Sequence, residues 1–381
     1  MSPSHSTKNI ARIIISKQGM PSNLLGSWTQ MLEYMFSQYD GNKMDYLLCG
    51  PSDLPFQSVA TTRIICKSLK WEILRKWYYP IKYYSYIRAL KSIIAKHEFV
   101  VVIVMDNPKL KNIVSETIQQ NGWQHKCRII FIQCGFSYEF TRDEYKDFKS
   151  GLHEIVLLTQ KSYAYELNKY HEYPFLVHVL HNGMRQDIFY PLANAERQSK
   201  RQEIGIAVNE KMFLWVSHDR PKKGLDIILR MWPTVAAKYP GAKLIVVGAK
   251  RDISLPGLRF EGKLANTGLA KYYQSADVFL FSPLCQEGFG LSLAEAMSCG
   301  CFCIASDVGG VNEFFNENHG LLIQNPNQAD GWIKAIDRYY EQPTPIGAGN
   351  QPIFLSYDEW CRRFQKIADD SIQFLIQSAN R

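Results

Sequence analysis

The sequence lacks a long apolar run. Its longest, Phe99 to Met105, is seven residues, against the roughly 20 that a membrane-spanning helix needs. The stretch Met1 to Ile10 is polar and has no apolar core of the kind found in a secretory signal. Together these predict a cytoplasmic chain that meets a membrane, if at all, on its inner face. No internal repeat or low-complexity tract is visible. No G-x-G-x-x-G follows any strand-like run, which argues against a nicotinamide-dependent oxidoreductase.

Paired metal ligands are also missing. Of the nine cysteines, Cys49, Cys66, Cys127, Cys134, Cys285 and Cys361 are scattered, as reduced core residues would be. Cys299, Cys301 and Cys303 cluster, but no second ligand pair stands at matching spacing, so neither zinc nor any other metal is expected. Alternation along a strand would put these three on one face as small core fillers.

Acidic residues are scarce in one region. The chain carries a net +8, and Lys67 to His97 holds eight Lys or Arg against the single acid Glu72, which is 8 − 1 = +7. Trp71, Trp77, Tyr78, Tyr79, Tyr83, Tyr84 and Tyr86 are interleaved with them. One reading is a surface, with Arg75, Lys76, Trp77 and Lys82 at its centre, that meets anionic lipid headgroups or a phosphate-bearing acceptor. The other is a solvated helical pair broken at Pro80, with snorkelling lysines. No nucleic-acid recognition motif accompanies the charge, so nucleic acid is not an expected partner.

What is present fits two domains. At 381 residues, 46% apolar, the chain is long enough for two cores. Strand-like runs occur at Ala11–Ser16, Asp45–Cys49, Phe99–Met105, Arg128–Gln133, Glu154–Leu158 and Val177–Leu180, with a helical pattern at Trp28–Gln38. Residues 191 to 210 are polar and read as a linker or exposed connection. The pattern then restarts, with strands at Phe213–Ser217, Lys243–Gly248, Arg259–Glu261, Val278–Ser282 and Phe302–Ser306. Helical stretches intervene at Leu225–Tyr239, Gly268–Ser275 and Leu291–Ser298, and a last helix spans Tyr357–Gln377. Such alternation predicts two α/β units with parallel sheets: residues 1–190, residues 191–356, and a C-terminal helix, 357–381, crossing back to the first.

The most informative segment runs from Ser282 to Gly300. A strand ends, a loop carrying Glu287, Gly288, Phe289 and Gly290 follows, and a helix begins with Leu291 and carries Glu295. A helix N-terminus stabilises a diphosphate through unpaired N–H groups and its dipole. The glycines let backbone approach such a ligand. Two carboxylates beside it suit sugar and ribose hydroxyls. A second constellation, Val216 to Gly224, leads a strand into a basic loop with His218, Arg220, Lys222 and Lys223. Cations there would face developing phosphate charge.

The Glu287 to Glu295 spacing resembles the E-x7-E signature of glycosyltransferase family 4, retaining enzymes of the GT-B fold. The similarity continues through Cys299-Gly300 and Ile304 to Glu313, and back through Phe260-Glu261-Gly262 and Tyr272 to Val278. It covers about Phe213 to Asn325. It implies two Rossmann-like domains facing each other across a cleft, and hexosyl transfer from a UDP- or GDP-type sugar with no metal and no cofactor. The absence of any Asp-x-Asp pair agrees with that. The resemblance assigns Glu287, Lys223 and Arg220 to catalysis, with Arg220 standing in for a family arginine whose strict position His218 occupies. It assigns Gly26, Ser27, His218, Gly262, Leu264, Gly288, Phe289, Gly290, Leu291 and Glu295 to the donor. The expected acceptor is a glycan, lipid-linked, in cell-surface polysaccharide synthesis. Many members carry a His after the strand at Ile129–Gln133, where this chain reads Gln133-Cys134-Gly135-Phe136. Asp106 and Asn107 are other polar groups at that sheet's mouth. His125, His178 and His181 are unassigned. A GT-B epimerase or phosphorylase, or a membrane-docked scaffold without turnover, are the alternatives.

Overall fold

The computed structural model describes residues 9–22, 27–67, 82–342 and 354–380. Two compact units emerge, Met1–Gly183 with Tyr357–Arg381, and Met184–Ser356.

The first unit is a seven-stranded sheet built from β1 (Ile10–Gly19), β2 (Tyr46–Gly50), β3 (Thr62–Ile65), β4 (Phe99–Met105), β5 (Cys127–Ile132), β6 (Glu154–Leu157) and β7 (Leu176–Val179). Its order is β3-β2-β1-β4-β5-β6-β7, and every pairing is parallel. All seven residues of β4 are buried, as a central parallel strand covered on both faces requires. Helices α1 (Ser27–Ser37), α2 (Tyr84–Ile94), α3 (Pro108–Gln120), α4 (Arg142–Lys149) and α5 (Gln160–Tyr170) connect the strands. Several of their ends are capped locally. The Asn107 side chain accepts from Leu110 N at 3.0 Å at the start of α3. Thr141 and Glu144 form a capping box at the start of α4. At the other end of α4, the buried Lys111 ammonium donates to the carbonyls of Asp147, Phe148 and Ser150, satisfying acceptors that a helix terminus leaves open.

The second unit is a six-stranded parallel sheet of β9 (Lys211–Val216), β10 (Ala242–Val247), β11 (Leu258–Gly262), β12 (Val278–Phe281), β13 (Phe302–Ser306) and β14 (Gly320–Ile323), in the order β11-β10-β9-β12-β13-β14. It carries α6 (Asn194–Glu203), α7 (Leu225–Lys238), α8 (Asn266–Ser275), α9 (Leu291–Ser298) and α10 (Ala329–Glu341). Two-residue strands, β8 (Gly183–Met184) and β15 (Leu355–Ser356), lie where the chain leaves the first unit and returns to it. In both units the third, second, first and fourth strands lie in that spatial order, the doubly wound Rossmann arrangement.

The long last helix, α11 (Tyr357–Ala379), belongs to the first unit and packs on α1, β4 and β5, as expected from the sequence. Its Ser371 hydroxyl donates to the buried Glu154 at 2.5 Å, and Asp369 accepts from Arg12 Nε at 2.7 Å. Burial alone would raise the Glu154 pKa, but His178, Ser371 and the Arg128 cation, paired at 2.9 Å, hold it below the usual value.

Two expectations are corrected. Residues 191–210 are not a linker. They include α6, whose Arg197 and Arg201 are buried against Asp277 at 3.0 and 2.9 Å. A charged stretch reads as solvated until its partner is found, and here the partner is 76 residues away from Arg201. The three clustered cysteines are all buried but do not share a strand face. Cys299 ends α9, Cys301 precedes β13, and Cys303 alone lies on it. Part of the basic aromatic stretch, including Arg75, Lys76 and Trp77, lies outside the described residues. Lys82 is described, with its ammonium 5.5 Å from the Tyr83 ring.

Replacing Asp277 with Ala strands two buried guanidinium groups. The expected cost is about 3–5 kcal/mol, read by chemical denaturation of the full chain. His153, whose Nδ1 accepts from Ile129 N at 3.1 Å, is held neutral: burial, then the Arg128 cation, lowers its pKa from 6.5 to about 4. The unfolded chain therefore binds this proton first as pH falls, and stability drops between pH 6.5 and about 4. The expected drop is on the order of 1–3 kcal/mol. In His153→Gln that part of the pH profile flattens, measured by melts across this range.

Candidate functional site

In the second unit the chain order reverses between β9 and β12, so the loops leaving their carboxyl ends run apart and open a crevice. Three loops meet there. The first follows β9 and includes a short 3-10 turn, Pro221–Lys223. The second follows β12, and the third follows β13.

The first two loops are locked together. Trp215 Nε1 donates to Ser282 Oγ at 2.9 Å, and Ser282 Oγ donates to Lys223 O at 3.0 Å. Leu284 N donates to Lys222 O at 2.8 Å. Gly224 sits at φ +72°, where a Cβ would lie 1.9 Å from Ser282 O. Only glycine allows that approach. The consequence is an ion pair between Lys223 Nζ and Glu287 Oε1, with side chains 23% and 15% exposed, so both remain within reach of a ligand. The third loop supports Glu287 from its backbone side. Gly310 N donates to Glu287 O at 3.0 Å. At Gly309, φ +60°, a Cβ would lie 2.1 Å from the same oxygen.

Gly290, at φ +83°, precedes α9, with Gly288 and Phe289, both buried, before it. The Phe289 ring packs 4.8 Å from Phe314 and 6.0 Å from Phe354, so its ring is core and only its backbone is available at the loop. Leu291 is half-buried at the first position of α9. Glu287 and Glu295 do not stand as a matched pair of carboxylates. Glu295 is 6% exposed, and burial raises its pKa to about 8, with Tyr273 pulling weakly the other way. Near neutrality it is therefore largely protonated and can donate as well as accept.

His218 and Arg220 are both exposed on the β9 loop. That loop is held from the side by a residue that sequence reasoning missed. Arg251, after β10, pairs with Asp219 at 2.5 Å and with Asp226 in the first turn of α7. Nothing in its sequence context marks it, because both partners are distant in the chain. Gly262 lies at φ +68° with open space where a Cβ would stand, and its carbonyl accepts from Gly248 N at 2.6 Å. Leu264 follows, half-buried. Gly26 lies outside the described residues, and Ser27 begins α1 in the first unit.

In the first unit, where no His follows β5, Gln133 Nε2 donates to Glu166 Oε1 at 3.1 Å and Phe136 O at 3.0 Å. Beside it, at the β1/β4 reversal, Asp106 adopts φ +45°. Its Oδ1 accepts from Cys134 N at 3.0 Å and Tyr138 Oη at 2.8 Å. Burial pushes its carboxyl pKa up. A left-handed aspartate of this kind is uncommon and clusters at functional sites. Among the described residues no group of three or more His, Cys, Asp or Glu is placed to hold a metal, and no helix is long and apolar enough to cross a membrane.

Residues 196–348 match the family described as glycosyl transferases group 1. A D-inositol 3-phosphate glycosyltransferase of Mycobacterium ulcerans (strain Agy99) is 28% identical over 199 residues, covering 48% of this chain and 41% of that protein. One of the same description from Mycobacterium tuberculosis (strain F11) is 29% identical over 180 residues, covering 43% and 36%. The chain thus spans less than half the length of these relatives. Among solved structures, sucrose-phosphate synthase from Thermosynechococcus elongatus superposes with a TM-score of 0.74 at 17% identity, covering 95% of this chain and 99% of that one. HepE of Anabaena, in complex with UDP and glucose, gives 0.70 at 14% identity, covering 94% and 99%. At these identities the structures establish the fold: two parallel Rossmann-like sheets of the GT-B type.

Gly309→Ala tests how far the site depends on its third loop. Both the positive φ and the clash with Glu287 O oppose the substitution. Displacement of Glu287 is expected, with a loss of about 1 kcal/mol or more of stability and a changed environment at Lys223, measured by melting and by the reactivity of its amine.

Proposed function

We propose, for a chain that belongs to the glycosyl transferases group 1 through residues 196–348, that it is a retaining hexosyltransferase. It moves a sugar from a UDP- or GDP-type nucleoside diphosphate sugar to an acceptor hydroxyl. The observation that carries this reading is the Lys223–Glu287 pair held between glycine-bearing loops at the sheet reversal. A lysine there supplies a compact cation for a diphosphate. The exposed Arg220 supplies a second, able to grip phosphate oxygens in a bidentate way. A similar solved fold carrying UDP and glucose supports the choice of donor class.

The chemistry assigned to these groups is electrostatic. As the bond between the anomeric carbon and the leaving phosphate oxygen breaks, negative charge grows on the diphosphate, and Lys223 and Arg220 stabilise it. The acceptor hydroxyl attacks on the same face, and its proton passes to the departing phosphate oxygen. Glu287 orients Lys223 and offers its carboxylate to the sugar's hydroxyls. The backbone of residues 288–291 faces the donor, with His218, Gly262 and Leu264 flanking it. Glu295, one turn into α9, is assigned to the ribose hydroxyls in this reading. In the same reading the second unit binds the donor and the first unit the acceptor, with Gly26 and Ser27 assigned to the donor as well. The acceptor is a glycan, lipid-linked, and the basic aromatic stretch around Arg75, Lys76, Trp77 and Lys82 meets its phosphate or an anionic membrane surface. The charge of that stretch and the aromatic interleaving support this part of the reading.

The test is a donor panel that follows nucleotide release and the mass of the product. Wild type is expected to release a nucleoside diphosphate and glycosylate an acceptor. Lys223→Ala and Glu287→Gln are each expected to lose roughly 10²-fold or more in kcat. Full activity in both variants removes the site assignment.

A further inference from the structure

The first unit holds a cavity that the donor chemistry does not use. Its volume is about 340 Å³, within the roughly 300–1,000 Å³ typical of small-molecule sites. It lies between the second half of α1 and the loops that follow β1 and β2. Met20, Glu33, Phe36, Leu54, Phe56 and Gln57 line it.

The walls are tied in place from behind. Arg63 Nη1 donates to Met20 O at 2.9 Å and to Leu54 O at 3.3 Å, and its guanidinium stands 5.1 Å from the centre of the Phe56 ring. Ser52 Oγ donates to Pro21 O at 2.5 Å and accepts from Leu54 N at 3.2 Å. Phe36 and Phe56 form a tilted pair, 5.6 Å between centroids. The two loops and the helix thus make one preformed wall of rings and aliphatic groups.

Against that wall stands a single charged group. Among the described residues lining the cavity only Glu33 carries a charge. Its carboxylate takes no hydrogen bond or ion pair from another described residue. Burial pushes its pKa upward. A half-buried carboxylate with unfilled acceptor sites favours a ligand that brings hydrogen-bond donors and no negative charge. The rings beside it favour a ligand that also has an apolar face. A carbohydrate unit has both, with hydroxyls on its edge and C–H groups on its faces. A phosphate has neither property, and like charge disfavours it beside Glu33.

We propose that this cavity binds a neutral carbohydrate unit of the acceptor, with its hydroxyls on the Glu33 carboxylate and its apolar face against Phe36 and Phe56. The proposal rests on the glycosyl-transfer reading, which requires a hydroxyl-bearing acceptor, and extends it by naming where an unphosphorylated sugar of that acceptor sits.

The test uses the full chain without donor. Methyl hexosides and neutral disaccharides, the same sugars as 6-phosphates, and glucosamine are titrated by saturation-transfer NMR and calorimetry. At least one neutral sugar is expected to bind, its 6-phosphate about tenfold or more weakly, with Glu33→Gln and Phe56→Ala each weakening the neutral sugar by about tenfold. Thermal melts confirm that both variants fold, and the conservative Glu33→Gln carries the test if Phe56→Ala does not. No binding of any neutral sugar, equal binding of the 6-phosphates, binding of the amine alone, or unchanged affinity in Glu33→Gln overturns the proposal. The donor panel on the same wild-type preparation separates the two readings. Neutral sugar bound at Glu33 with no donor turned over removes the transferase reading and leaves the cavity. Donor turned over with no sugar bound removes only the cavity.

Discussion

The position of β12 beside β9 governs the second unit. Their pairing is short, Val278 against Phe213 and Phe279 against Leu214, yet it sets two loops from distant parts of the chain side by side. Trp215, near the end of β9, reaches Ser282, just past the end of β12, and Ser282 fixes the backbone of Lys223. The ion pair between residues 64 apart is the outcome of that geometry rather than its cause. A partly exposed pair of this kind contributes little to stability by itself. What holds it is backbone contact that excludes a side chain at Gly224 and at Gly309. The glycines therefore act through the space they leave, and the charged groups inherit their positions.

Those constraints also explain which parts of the molecule are legible in the sequence. β4 and β13 are found at the residues expected, because each is a compact apolar run bounded by polar turns. The E-x7-E segment is legible because strand, glycine loop and helix follow one another without interruption. The rest of the site carries no such local signal: Arg251 finds Asp219 and Asp226 only after β9 and β10 are paired. The burial of Glu295 is equally hidden, since it depends on α8 bringing Tyr273 against α9. β14 and α10 are absent from the sequence expectations for a different reason. Trp332, Ala335, Ile336 and Tyr339 do carry a helical period on the buried face of α10. There the local pattern is present in the sequence itself.

Arginine illustrates how far composition alone can mislead. Arg197, Arg201 and Arg220 lie within about one helix and one strand of each other in sequence. The first two are buried, because Asp277 at the start of β12 offers both carboxylate oxygens and Met212 N completes its hydrogen bonding. The third is exposed. Residue type does not separate a structural guanidinium from one free to meet a ligand; a carboxylate within the fold does. The polar stretch around α6 therefore reads as a linker in the sequence and is a buried brace in the structure.

The same logic distinguishes the two sheet reversals. In the second unit the side chains brought to the reversal are Lys223, paired with one acid, and the exposed Arg220, which suits a ligand of two phosphates. In the first unit the reversal places Asp106 after β4, with its pKa raised by burial and one oxygen already satisfied by Cys134 N and Tyr138. The cavity of the same unit adds Glu33, also desolvated. Groups such as these are poor partners for phosphate and good ones for hydroxyls. One topology, used twice, thus offers cations in one unit and carboxyl groups in the other. That division follows from which residues end the strands, and it matches what a transfer from a charged donor to a hydroxyl demands.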